Sequence, residues 1–405
     1  MATPQTAPQP VSDKENPGGF LHIPALDGIR GLAILLVLID HLLVANNTTG
    51  SRALDILAQI RSSTFCGVNL FFALSGFLIT GILLDTLNVP HFFKTFYARR
   101  TLRIFPLYYG SLIALMLLTH PMHFDWAGWQ IYFLTYSSNL ALWRTAPLHL
   151  GFFNINHFWS LQVEEQFYLV WPLVVFRVRR PESLVRISLL GAAAVLALRI
   201  VLTIMRGHPG FTNQYLLYSP TFSCVDNILW GCCLCALLRS QWRTTVVRLA
   251  PRLLAITATI LLIAGIHYHG LDGVHPEHGD FNPTLGYSLI GLSCAAIIAM
   301  TLQPGSRTQR FFNWRFLRFF GKYSYGIYVF HYSLDGALSG RIRALLNAQY
   351  HSKAFSVLAS ALIVGTLSVL VALLSYHLYE VQFLKLKRFF SYNRAATTVT
   401  ISEPA

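Results

Sequence analysis

The chain has 405 residues, 54% of them hydrophobic, and its charged share of 12% is about half the roughly 25% usual in soluble proteins. That composition excludes an ordinary soluble domain and predicts an all-α fold, a polytopic integral membrane helix bundle. The net charge of +14 would suggest nucleic acid for a soluble protein. Here the basic residues fall between apolar runs, where they set topology, so no nucleic-acid partner is expected.

In chain order, residues 1–24 begin with a stretch rich in Pro, Gln and Thr that has no apolar core and no cleavage signal. They read as a disordered cytoplasmic tail, and the first helix as an anchor that stays. Apolar runs follow near 25–45, 66–84, 102–119, 158–176, 187–205, 220–238, 253–269, 284–302, 323–338 and 354–378, each near the length of about 20 residues that a span needs. They predict about ten transmembrane helices in one domain over 25–385, with 386–405 as a cytoplasmic C-terminal tail. Of the 31 lysines and arginines, 23 fall in the two ends and in every second linker, against 7 in the alternate linkers. By the positive-inside rule both termini are cytoplasmic. A further apolar stretch, 127–143, is interrupted by Ser137, Ser138 and Asn139, and letting it cross would force the Arg177, Arg179 and Arg180 cluster outside. It is expected to be interfacial or re-entrant, with Trp126, Trp129, Tyr132, Tyr136 and Trp143 as aromatic-belt residues.

Chemistry begins in the first run, which carries Arg30 near its start and Asp40 and His41 deep inside. Charged and titratable groups are costly there and mark function. On a helix the eleven residues from Arg30 to His41 correspond to about 1100° and about 16 Å of rise, so the two lie roughly 20° off a common face. Between 67 and 81, Gly67, Ser75, Gly76 and Gly81 are small residues suited to close helix packing. Next, Arg99, Arg100 and Arg103 stand together at the cytoplasmic entrance of the third run with no lysine among them, which favours bidentate phosphate contacts over plain anchoring. Arg99 and Arg103, at i and i+4, share a face.

The fourth run opens with His157, Ser160, Glu164, Glu165 and Tyr168. His157, Ser160, Glu164 and Tyr168 share a helical face, and adjacent glutamates at the head of an apolar span are hard to read as packing. Ser324, Tyr328 and His331 recur at helical spacing in the ninth run, a stripe as compatible with structure as with function. His267, His269, His275 and His278 crowd one outer loop with Asp272, Glu277 and Asp280, yet without ligand spacing, and no metal is expected. Cys224, Cys232, Cys233, Cys235 and Cys294 lie in apolar segments, with Cys66 beside one, and read as small buried hydrophobes.

Taken together, Leu26-Asp-Gly-Ile-Arg-Gly31 with His41, Phe71-Phe-Ala-Leu-Ser-Gly-Phe-Leu-Ile79, Tyr97-Ala-Arg-Arg-Thr-Leu-Arg-Ile-Phe-Pro-Leu-Tyr108 and Trp159-Ser-Leu-Gln-Val-Glu-Glu-Gln-Phe-Tyr168 resemble the successive signatures of the bacterial membrane acyltransferase type 3 family. The resemblance runs in order over nearly all of 25–385. It implies a ten-span enzyme of the bacterial inner membrane that moves an acyl group, commonly acetyl, from cytoplasmic acyl-CoA to a hydroxyl of an envelope or exported glycan or lipid-linked saccharide. It also implies roles for Arg30, His41, Arg99, Arg100 and Arg103. Three places depart from the family pattern. Cys224-Val-Asp226 stands where Arg-x-Asp is frequent, so a charge is missing; Tyr379-Glu-Val-Gln382 replaces a Glu followed by a basic residue and Pro; and Asp40 precedes the histidine where an apolar residue is common.

The mechanism expected from these residues has Arg99, Arg100 and Arg103 holding the CoA phosphates on the inner side. His41, oriented by Asp40, Glu164 or Glu165, takes the proton of an acceptor hydroxyl arriving from outside. Acyl-CoA is then a substrate, and no tightly bound cofactor is expected. The rival is a proton-coupled secondary transporter, which would show inverted halves with matching broken helices; the sequence displays neither.

Overall fold

An apolar chain in lipid must satisfy its backbone internally, and helices do so within one segment. The computed structural model describes residues 23–43, 64–141, 153–205, 214–268 and 280–392, with positions 52, 54, 57, 58, 61 and 150 between them. Its long helices are α1 (Pro24–Leu42), α2 (Cys66–Thr86), α3 (Phe92–Leu117), α4 (Trp159–Val178), α5 (Pro181–Met205), α6 (Asp226–Leu237), α7 (Arg243–His267), α8 (Tyr287–Thr301), α9 (Arg315–Tyr350) and α10 (Lys353–Ser375). Each overlaps one of the apolar runs. α2, α5, α7, α8 with its leading turn, and α10 with its continuation to Phe389 are long and apolar enough to cross a membrane. α1, α3, α4 and α9 bear the charged and titratable candidate residues instead.

The core is a pair of close crossings. α1 lies against α9, and α2 against α6. At the first crossing a Cβ on Gly31 would lie 1.9 Å from the Leu317 carbonyl oxygen, and one on Gly321 1.8 Å from that of Asp27. At the second, a Cβ on Gly76 would meet the Ile228 carbonyl at 2.0 Å. Backbone therefore touches backbone at both, which only glycine permits. Ser75, beside Gly76, does not serve this packing; its hydroxyl hydrogen-bonds that of Tyr168.

Helix breaks are patched by side chains. Pro106 interrupts the ladder of α3, and nearby carbonyls are taken up by hydroxyls: Tyr325 donates to Ile104 at 2.6 Å and Tyr379 to Pro106 at 3.2 Å. The run 220–238 is not one helix; it breaks at Val225 between Thr221–Cys224 and α6.

Segment 127–143 holds only two short helices among its described residues, Gln130–Leu134 and Ser138–Ala141, too short to cross a bilayer core of about 30 Å. The belt expectation is corrected. Trp126, Trp129 and Tyr136 are buried and only Tyr132 is exposed, while Trp143 lies outside the described residues. Burial follows because α4 satisfies the segment's backbone: Gln162 Oε1 accepts from Asn139 N at 2.8 Å, and Gln166 Nε2 donates to the Tyr136 carbonyl at 2.7 Å. The polar groups are thereby cancelled, and the aromatic rings pack inward, Tyr136 stacking on Tyr108 at 4.2 Å.

The loop histidines His269, His275 and His278, with Asp272 and Glu277, fall outside the described residues, as does the N-terminal tail through residue 22. Of the C-terminal tail, residues 386–392 pack onto α3: Arg99 Nη1 donates to the carbonyls of Lys387 and Phe390 at 3.2 and 2.9 Å.

Candidate active site

Because α1 is unbroken from Pro24 to Leu42, Arg30 and His41 sit on one rod, and each lines a different cavity. Arg30 lines a cavity of about 200 Å³ between α1, α2, α3, α4 and α9, together with Arg100, Arg103, Glu164, Glu165 and Tyr168. His41 lines another of about 160 Å³, together with Asp40, His157, Trp159, Tyr218 and Asn227. Val68, Phe72 and Tyr328 line both, so they form the wall between the two.

In the basic cavity, Arg30 Nη1 bonds Asp27 Oδ1 at 2.8 Å, one turn earlier on α1. The Arg100 guanidinium lies over the Tyr168 ring, 4.1 Å from its centroid, a cation–π contact. Ser160, Glu164 and Tyr168 all face this cavity, as the i, i+4, i+8 spacing on α4 requires. Arg100 Nε and Glu165 Oε1 are buried there without a hydrogen-bond partner among the described residues. Buried polar atoms are rarely left so.

The second cavity is organised by histidines. His41 Nδ1 lies 2.9 Å from His331 Nε2. The Tyr328 carbonyl accepts from His331 Nδ1 at 2.8 Å and from His157 Nε2 at 2.9 Å, while the Tyr328 hydroxyl bonds Ser160 and donates to the His157 carbonyl at 2.9 Å. His41 packs against Tyr332, ring centroids 4.5 Å apart and tilted by 34°. Its Nε2 is 3.9 Å from Asp40 Oδ2, and the other Asp40 oxygen is 4.0 Å from Arg61.

The sequence-derived candidates are thus divided. Arg30, Arg100, Arg103, Glu164 and Glu165 come together in the basic cavity; Asp40 and His41 are in the other. Neither glutamate reaches His41. Arg99 is separated from Arg100 and Arg103, its guanidinium bonded to the C-terminal segment and lying over Tyr392 at 5.2 Å. His157 and His331 stand out in the sequence, but nothing there joins either to His41; His157, in the turn before α4, lines the His41 cavity and not that of Glu164 and Tyr168. The signal was present in the stripe Ser324, Tyr328, His331, which α9 turns toward both cavities.

Behind the His41 cavity lies a fully buried ion pair. Arg199 on α5 meets Asp226 on α6 through two parallel bonds of 2.8 Å. Arg199 also donates to the Ser223 carbonyl at 2.8 Å, and Ser288 Oγ bonds both partners. A guanidinium absent at Cys224 thus stands beside Asp226 from the neighbouring helix, its two Nη atoms bonded and its Nε without a partner among the described residues. The break at Val225 frees the Ser223 carbonyl for this contact. Asn227, next along, accepts from Asn69 at 3.0 Å and lines the His41 cavity.

The family model described as an acyltransferase domain matches residues 23–377. Peptidoglycan O-acetyltransferase OatA of Listeria monocytogenes serovar 1/2a (strain ATCC BAA-679 / EGD-e) is 29% identical over 332 residues, which cover 77% of this chain and 49% of the relative. O-acetyltransferase OatA of Staphylococcus aureus (strain NCTC 8325 / PS 47) is 26% identical over 342 residues, covering 77% of this chain and 50% of the relative. The chain spans about half the length of these curated relatives. No solved structure matches it.

Proposed function

Because this chain belongs to the acyltransferase-domain family, we propose that it transfers an acyl group, acetyl in the first instance, from cytoplasmic acyl-CoA to a hydroxyl of a cell-envelope glycan. Peptidoglycan is the first acceptor to test, since relatives are named for it. The observation that carries this reading is the division along α1: Arg30 in a cavity with two further guanidiniums, His41 in the adjoining one. Arg100 and Arg103 hold the donor phosphates, and the thioester end reaches the wall formed by Val68, Phe72 and Tyr328. The acceptor hydroxyl enters beside His41. Its oxygen attacks the thioester carbonyl as His41 takes the hydroxyl proton; the C–S bond then breaks, and the proton leaves with the thiol. Donor and acceptor meet without either crossing the bilayer. The protein works in the bacterial inner membrane with both termini cytoplasmic, which cysteine labelling at Arg179 and Arg243 positions from each side would test.

The decisive experiment incubates purified protein with acetyl-CoA and a peptidoglycan fragment. Acceptor-dependent thiol release and a mass gain of one acetyl on the glycan are expected. Thiol release without acylated product, or none at all, overturns the assignment.

A further inference from the structure

A backbone carbonyl can only accept a hydrogen bond. His331 Nδ1 lies 2.8 Å from the Tyr328 carbonyl and 3.2 Å from that of Ile327, so Nδ1 carries the ring hydrogen of neutral His331 and Nε2 is bare. The nitrogen facing that bare Nε2, His41 Nδ1 at 2.9 Å, must then be the one that carries a hydrogen. His41 is left with its lone pair on Nε2, beside Asp40 at 3.9 Å. His157 is fixed by the same carbonyl: its Nε2 donates to Tyr328, and its Nδ1 is buried with no partner among the described residues, so it offers His41 no competing donor.

Resting on the acyl-transfer reading above, we propose that His331 is a positioning residue that sets the tautomer of His41 and so makes Nε2 its proton-accepting atom. Without the constraint an imidazole presents N–H from either nitrogen, and one of the two tautomers cannot accept a proton from a hydroxyl arriving at Nε2. When His41 accepts that proton, its Nδ1–H becomes a charge-assisted donor to the same lone pair on His331. His331 itself neither gains nor loses a proton. A fully buried neutral ring performs the orienting task without the cost of placing a carboxylate there.

The test compares purified wild type with His41→Ala, His331→Leu, His331→Gln and the His41→Ala/His331→Leu double variant. Each is assayed for acceptor-dependent thiol release and for acetyl-CoA binding. His331→Leu should lose about 10²-fold in kcat, with KM for acetyl-CoA within about twofold. His331→Gln should recover most of the rate, because its side-chain oxygen accepts from His41 Nδ1–H. The double variant should be no slower than His41→Ala, since His331 acts only through His41. Full activity in His331→Leu overturns the inference while leaving acyl transfer standing. Equal loss in His331→Leu and His331→Gln, accompanied by weakened donor binding, assigns His331 to packing and also overturns it. A wild type that releases no thiol overturns instead the reading on which the inference rests.

Discussion

The cavity around His41 is held by backbone carbonyls, whereas the cavity around Arg100 keeps buried polar atoms unpaired. Around His41, both nitrogens of His331 are bonded and one carbonyl of α9 anchors two imidazoles. Around Arg100, one guanidinium nitrogen and one carboxylate oxygen have no partner among the described residues. The first arrangement orients the imidazoles through the backbone, with His157 Nδ1 still without a partner among the described residues, as a group that must accept a proton from one fixed direction requires. The two cavities along α1 thus differ in what orients their side chains: backbone carbonyls of α9 in one, side-chain and ring contacts in the other.

The strongest test of this contrast is loss of the His41 imidazole. His41→Ala should reduce acyl transfer by about 10²–10⁴-fold, the range for a positioned acid-base group, with insertion and acetyl-CoA binding intact. His41→Gln should be nearly as inactive; substantial transfer by a well-expressed Gln variant would break the contrast. Next in size is the support behind that cavity. Arg199→Met leaves Asp226 buried and unpaired, which should cost about 3–5 kcal/mol, seen as a lower thermal midpoint in detergent. Arg199→Met/Asp226→Leu should recover part of that loss, and no recovery would mean the pair is not the cause.

In the basic cavity the effect should fall on affinity alone. Arg100→Gln and Arg103→Gln should each weaken acetyl-CoA binding by about 1.5–3 kcal/mol, roughly ten- to a hundred-fold, and more at low salt than at high. Isothermal titration measures it, and unchanged affinity would leave both residues as topology signals. The smallest effect belongs to Arg99→Gln. It should change donor affinity by less than about tenfold while speeding proteolysis within 386–392, because its bonds run to the carbonyls of Lys387 and Phe390.

What could be read from sequence was whatever one helix decides alone. Arg30 and His41 lie on one helix as their spacing implies, and Ser160, Glu164 and Tyr168 share a cavity. Where two helical phases compete, sequence is silent. Arg99 and Arg100 stand about 40° and about 60° from Arg103 around α3, so either could have shared its cavity; the distant C-terminal segment decides by claiming Arg99. His331 is 290 residues from His41, and nothing in its own stripe names its partner. Arg199 has its carboxylate partner on the next helix, so nothing in its own apolar run names the pair. Aromatic residues of 127–143 matched an interfacial pattern, and only the glutamines of α4 reveal that the segment folds inward.

Gly31 and Gly321 press the backbones of α1 and α9 together one residue from Arg30 and ten residues from His331. Two rods in contact there cannot slide past each other without a collision of main chains, so α9 and its His331 keep their place beside α1, while the interval of about 16 Å between Arg30 and His41 is fixed by the single unbroken helix that carries both. It sets a minimum reach. A donor whose reactive carbon lies much nearer its anionic end than that interval could fill the basic cavity and still fall short of the imidazole. Selection among donors would then be made by length, measured along one continuous helix.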